Sequence, residues 1–97
     1  MARDTRIQAL FGIDSPIIQA PMAGAQGAAL AIAVSRAGGL GSLACALLSP
    51  DQVRSESALI REATGSSPFN LNFFAHDESD PDAAQINAWQ ARLDPYY

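Results

Sequence analysis

The feature that most limits this chain is the run Pro16-Ile17-Ile18-Gln19-Ala20-Pro21-Met22-Ala23-Gly24, followed at helical distance by Ala37-Gly38-Gly39-Leu40-Gly41-Ser42. A short apolar stretch ends in a Pro/Gly turn, a small-residue helix follows, and a second short stretch opens from a double glycine. Strands joined through helices at crossover length predict a parallel sheet built from βαβ units. The turn Pro21 to Gly24 holds only small or unbranched side chains beside its proline, so a flat ligand can approach its backbone.

The pattern continues along the chain. Pro16 fits the start of a strand, where its missing donor costs least, and Ile17 to Ala20 is that strand, ended by Pro21. Ala28 to Ala37 reads as a helix whose buried face is Leu30, Val34 and Ala37. Gly38 suits its C′ position and Arg36 the negative end of its dipole. Leu40 to Leu43 is the second strand. Ser49, Pro50 and Gln52 give the clearest helix start, a capping box with proline at N1. Val53, Ile60 and Ala63 share one side of that helix, Arg54 and Arg61 face water, and Gly65 ends it. Phe69 to Phe74 is the third strand, with Asn70 and Asn72 on one face and Phe69, Leu71 and Phe73 on the other. Pro81 opens a last helix carrying Ala83, Ile86, Trp89 and Leu93, which Trp89 is expected to anchor. The polar lead, residues 1–15, has one apolar patch, Leu10-Phe11, expected to cover the end of a sheet. Three strands cannot close a barrel, which needs eight. The expectation is one partial domain over residues 1–97 with a helical excursion at 80–95, a fragment able to associate through open sheet edges.

Charge and composition narrow the function classes. Six basic residues stand against ten acidic ones, a net charge of -4, and no Lys/Arg cluster exists to neutralise phosphates, which argues against nucleic acid. Asp77-Glu78-Ser79-Asp80-Pro81-Asp82 reads as a solvated connection. The alanine-rich stretch from Ala28 to Val34 is too short to span a bilayer. With one cysteine, Cys45, and no basic-then-apolar leader, the expected location is cytoplasmic. Cys45 reads as a small buried hydrophobe. His76 has no second histidine or cysteine pair near it, so no metal site is expected. Nothing forms a nucleophile-and-base pair, so no catalytic residue is assigned.

Three positions remain as ligand candidates. Met22, unbranched and polarizable, suits an aromatic ring and equally suits a gap in a core. Asn72, near the end of an apolar strand, can donate and accept; it suits a ligand or a structural bond, and Asn70 competes for either role. Gln19 is a ligand contact or a satisfied interior amide. The glycines at 38, 39 and 41 lack the order and place of a dinucleotide fingerprint and read as a helix terminus and a close-packed barrel strand.

Phe11-Gly12-Ile13, the run from Pro16 to Gly24, the run Ala33 to Ser42, Leu48-Ser49-Pro50 and Pro68-Phe69-Asn70-Leu71-Asn72-Phe73-Phe74 together resemble the opening of the nitronate monooxygenase (2-nitropropane dioxygenase) family, over about residues 7–76. The resemblance implies the N-terminal portion, about three βα units, of an α/β fold, an FMN-binding (β/α)8 TIM barrel. It implies oxidation of alkyl nitronates with O2 to a carbonyl compound and nitrite. By motif, Pro21, Met22 and Ala23 match the loop against the flavin ring, and Asn72 matches an asparagine that contacts it. The family's histidine base lies later in such barrels, and His76 does not match it. Phe69-Asn70-Leu71-Asn72 replaces the commoner Phe-Gly-Val-Asn, and Leu43-Ala44-Cys45-Ala46 replaces a glycine-richer strand end, which points to a subgroup with a different substrate. Flavin enoyl thioester reductases share the barrel and a related opening, and are the alternative. The further expectation is that these 97 residues alone are catalytically silent.

Overall fold

The structure, a computed structural model, describes residues 3–97; the first two residues of the expected polar lead lie outside the described residues. Its elements are α1 (Arg6–Phe11), α2 (Ala28–Arg36), β1 (Gly41–Ala44), α3 (Pro50–Thr64), β2 (Phe69–Asn72) and α4 (Ala83–Leu93), with a closing 3-10 turn Asp94–Tyr96. β1 and β2 pair in parallel, Gly41 opposite Phe69 and Ala44 opposite Asn72. α3 connects them, as the crossover reading expects.

The segment expected as a first strand does lie beside β1, but as a single parallel bridge, Ile18 to Leu40, and not as a strand. Leu40 N–H donates to Ile17 C=O and Gln19 N–H donates to Leu40 C=O, both at 2.9 Å. The next rungs of a parallel ladder would be Ser42 N–H to Gln19 C=O and an N–H of residue 21 to Ser42 C=O; the Gln19 side chain takes the first donor, and Pro21 has no N–H for the second. The ladder stops there, and the chain peels away.

α3 begins as its sequence dictates. Ser49 Oγ accepts from Gln52 N–H, the Gln52 side chain accepts from Ser49 N–H, and Pro50 sits in the first turn. Gly65 closes the helix at φ +65. α2 has no side-chain cap of its own. Glu56 of α3 supplies one, its Oε2 accepting from Ala28 N–H at 2.9 Å, which also sets a carboxylate at the positive end of the α2 dipole. At the other end the Arg36 guanidinium donates to Ala63 C=O. The two helices therefore lie side by side in the same direction.

The core forms between these helices and the sheet, from Ala28, Ala31, Leu43, Cys45 and Ile60, with Ile32, Leu48, Val53 and Phe69 against it. The buried face of α2 is Ala28, Ala31 and Ser35; Leu30 and Ala37 are exposed and Val34 half-buried, against expectation. Close approach decides this. A Cβ on Gly41 would collide with Ala31 C=O and stand 2.6 Å from Ser35 Oγ, so only small residues fit where α2 crosses β1. The expected burial of Val53, Ile60 and Ala63 in α3 holds, fully for Ile60, and Arg54 and Arg61 are exposed. Arg61 also lies over the Phe69 ring, 4.8 Å from its centre.

Two terminal expectations fail. Leu10 and Phe11 sit in α1 and remain exposed, covering no sheet. α4 starts at an unanticipated capping box, Asp82 with Gln85, and Trp89 is 65% exposed and anchors nothing. Every residue after Asn72 is exposed. The radius of gyration of 18.7 Å reflects this, against about 13 Å for a compact chain of similar length.

Candidate functional site

The polar face of the sheet builds the candidate site. Ser42 and Asn70 stand opposite each other, as do Ala44 and Asn72, and side chains two apart along a strand share a face. Leu43 lies on the other face, in the core between sheet and helices. Were the Ile18–Leu40 register continued, Met22 would stand level with Ala44, and thus with Asn72. The Pro21–Ala23 loop and Asn72 therefore belong to the same, C-terminal, end of the parallel segments, the end that carries sites in α/β barrels.

The loop is tight. Ala25 N–H donates to Met22 C=O at 3.2 Å, and Gly24 takes φ +77. Pro21 and Ala23 are half-buried and Met22 is 51% exposed. Among the described residues the N–H groups of Met22, Ala23 and Gly24 have no acceptor.

The two asparagine side chains differ in their partners. Asn70 Nδ2 donates to Ser42 Oγ at 3.3 Å. The Asn72 amide, half-buried, has no hydrogen-bond partner among the described residues, while its C=O accepts from Cys45 N–H at 2.9 Å. The Asn72 amide is not among the buried polar atoms left without a partner, so it is open to water or to a ligand.

Gln19 is the satisfied interior amide. Only 8% exposed, it accepts from Ser42 N–H through Oε1 at 3.0 Å and donates through Nε2 to Ser42 C=O at 3.1 Å and to Gln26 Oε1 at 2.6 Å. Gln26 Nε2 also donates to Ser42 C=O, at 3.2 Å. These side chains stand in for both missing rungs, of which Pro21 forbids the one to Ser42 C=O. The sequence reading missed Gln26; its position seven residues after Gln19, just beyond the turn, was the available signal.

Cys45 is buried as expected, and burial pushes its thiol above the usual range. His76 is exposed beside Phe74, ring centres 5.7 Å apart. A cavity of about 710 Å³ lies elsewhere, along α4, lined by Ser79, Pro81, Trp89 and Arg92; it is open to solvent and touches no candidate residue. Among the described residues no group of three potential metal ligands occurs, and no helix is long and apolar enough to cross a membrane.

Parallel segments joined through helices, with a glycine-bearing loop at their C-terminal end, define part of an α/β protein built from βαβ units. Comparison with known proteins carries this further. The chain belongs to the nitronate monooxygenase family, whose sequence profile it matches over residues 4–95. It is similar to the nitronate monooxygenase of Paraburkholderia phytofirmans, 48% identical over 90 residues, covering 91% of this chain and 24% of that protein. The nitronate monooxygenase of Pseudomonas aeruginosa is 47% identical over 94 residues, covering 95% and 26%. A probable nitronate monooxygenase of Staphylococcus aureus is 33% identical over 96 residues. Among solved structures, FabK from Thermotoga maritima superposes with a TM-score of 0.69 at 30% identity, over 96% of this chain and 29% of that one. The chain spans about a quarter of the length of the curated relatives it matches. The family is one of oxidoreductases, and the fold is a partial set of its barrel's β/α units.

Proposed function

We propose that this chain supplies one side of an FMN site in a barrel that oxidises alkyl nitronates with O2 to a carbonyl compound and nitrite. One observation carries the reading. A loop whose N–H groups have no acceptor among the described residues and a half-buried amide without a protein partner both lie at the C-terminal end of the parallel segments. These groups fit an isoalloxazine, which is flat, apolar on its faces and rich in hydrogen-bonding atoms at its edge.

In this reading Pro21 and Ala23 bring the backbone close, and the free N–H groups of Met22 and Ala23 donate to electron-rich edge atoms. The exposed Met22 thioether packs on the ring face. The Asn72 carboxamide donates and accepts at the ring edge and gains its missing partner. Bound against these residues, FMN would supply the redox chemistry that couples nitronate oxidation to O2. The chain's own residues bind and orient; none of them takes the substrate proton. His76, exposed beyond β2, stays outside this assignment. The chain acts as one partial barrel domain, its 97 residues alone are inactive, and a cytoplasmic setting suits the unpaired Cys45.

The test joins residues 4–95 of this chain to the remaining length of the Pseudomonas aeruginosa relative. The hybrid should bind FMN, consume oxygen and release nitrite from an alkyl nitronate. A folded hybrid without flavin would refute the site. NAD(P)H-driven reduction of an enoyl thioester without nitrite would move the assignment to a flavin reductase.

A further inference from the structure

We infer that Gln19 and Gln26 form a clamp that fixes the Pro21–Gly24 loop over β1, making them positioning residues for the flavin site; the inference deepens the function proposed above and rests on it. Gln19 lies just before the loop and Gln26 just after it. Both side-chain amides donate to one acceptor, Ser42 C=O, at 3.1 and 3.2 Å, and they join each other at 2.6 Å. Ser42 is fully buried and sits mid-strand in β1, so the loop is tied at both ends to a fixed point.

The need for such a clamp follows from the loop's own sequence. Pro21 removes the rung that would hold the chain to Ser42, and Gly24 at φ +77 gives the turn no stiffness of its own. A ring-facing loop has to be rigid before its ligand arrives, because ordering it on binding lowers affinity. The clamp extends further. Ser42 Oγ accepts from Asn70 Nδ2 at 3.3 Å, so one polar chain runs from the loop through β1 to β2, two residues before Asn72. The two groups assigned to the ring thus share one anchor. Gln26 is half-buried and Gln19 buried, which makes Gln26 the side that can be altered without opening the core.

The experiment uses amide hydrogen exchange on the full 97-residue chain with Gln26→Leu and Gln26→Glu, and FMN titration of the hybrid barrel carrying the same changes. Losing one or two hydrogen bonds should speed exchange at Ala25, the loop amide held by Met22 C=O, by roughly 3- to 10-fold, with Ala31 and Leu43 as protected as before. The same variants should raise the FMN dissociation constant at least roughly threefold and broaden the flavin's visible band. Unchanged loop exchange in both variants overturns the clamp, whatever the flavin does. Lost protection at Ala31 and Leu43 together with the loop also overturns it, since Gln26 would then hold the whole fold. A loosened loop with unaltered FMN affinity leaves the clamp but refutes the ring-facing loop, and so separates this inference from the reading beneath it.

Discussion

Replacing Gly41 with alanine adds one carbon at the tightest point in the molecule. Its Cβ would collide with the carbonyl oxygen of Ala31, stand 2.6 Å from Ser35 Oγ and 2.9 Å from the Ala31 carbonyl carbon. Unstrained carbon contacts lie near 3.5–4.0 Å, so α2 would have to retreat by roughly 1 Å. The obstacles at Ala31 are main-chain atoms in mid-helix, which cannot swing aside like the end of a side chain. Retreat opens the seam between Ala31 (0% exposed), Leu43 (1%) and Ile60 (0%), where a gap of that size forfeits about a quarter to a half of the dispersion energy. Overpacking costs about 1–3 kcal/mol, and this site belongs at the upper end. Against a total stability of roughly 5–15 kcal/mol, a loss of about 3 kcal/mol should lower Tm by roughly 12–24 °C. Gly12→Ala is the control. Gly12 has φ +67 and open space around it, so it costs only backbone strain of about 1–2 kcal/mol. Thermal and urea unfolding followed by far-UV circular dichroism should rank Gly41→Ala well below Gly12→Ala. A Gly41→Ala variant no less stable than Gly12→Ala would refute the close-packing argument.

In the hybrid barrel, Asn72→Ala should weaken FMN binding by about 0.5–1.5 kcal/mol, or more if a flavin atom is left unpaired, measured by flavin titration; an unchanged constant would return Asn72 to a structural role. Glu56→Ala should destabilise the chain by about 1 kcal/mol, through the lost Ala28 cap and dipole contact, while Glu56→Gln keeps an acceptor and should lose less, both read by urea unfolding. Burial raises the Cys45 thiol in the folded state. As pH climbs past the ordinary thiol range the unfolded chain loses its proton first, so stability should fall there in the parent and not in Cys45→Ala. A thiol reagent at neutral pH should label Cys45 only on unfolding.

What the sequence disclosed depended on how local the cause was. The start of α3 was legible because Ser49, Pro50 and Gln52 settle it within four residues. The pairing of β1 with β2 followed from two apolar runs and a helix between them. α2 was placed correctly, yet its buried face was misread, because Leu30 and Val34 outweigh Ala31 and Ser35 in apolarity. Only the contact with Gly41 reverses that order. The first strand was cut to a single bridge because Pro21 has no N–H for Ser42 C=O and the Gln19 side chain takes the Ser42 N–H. α1 has no side-chain cap at Thr5 and no clear periodicity, so it escaped notice. For the candidate site, the loop and Asn72 were named through the resemblance. The bond from Asn70 to the Ser42 hydroxyl was not legible, since the two lie 28 residues apart.

The loan of Glu56 to Ala28 also bears on the order in which the chain assembles. α2 has nine residues and no cap of its own, too short to persist alone in water, whereas α3 has fifteen and carries its own start signal. During synthesis α2 leaves the ribosome first. Its first turn stays incomplete until the polypeptide has grown past residue 56 and α3 has wound far enough to present that carboxylate. Helix formation in this segment therefore runs against chain order, the later helix acting as template for the earlier one.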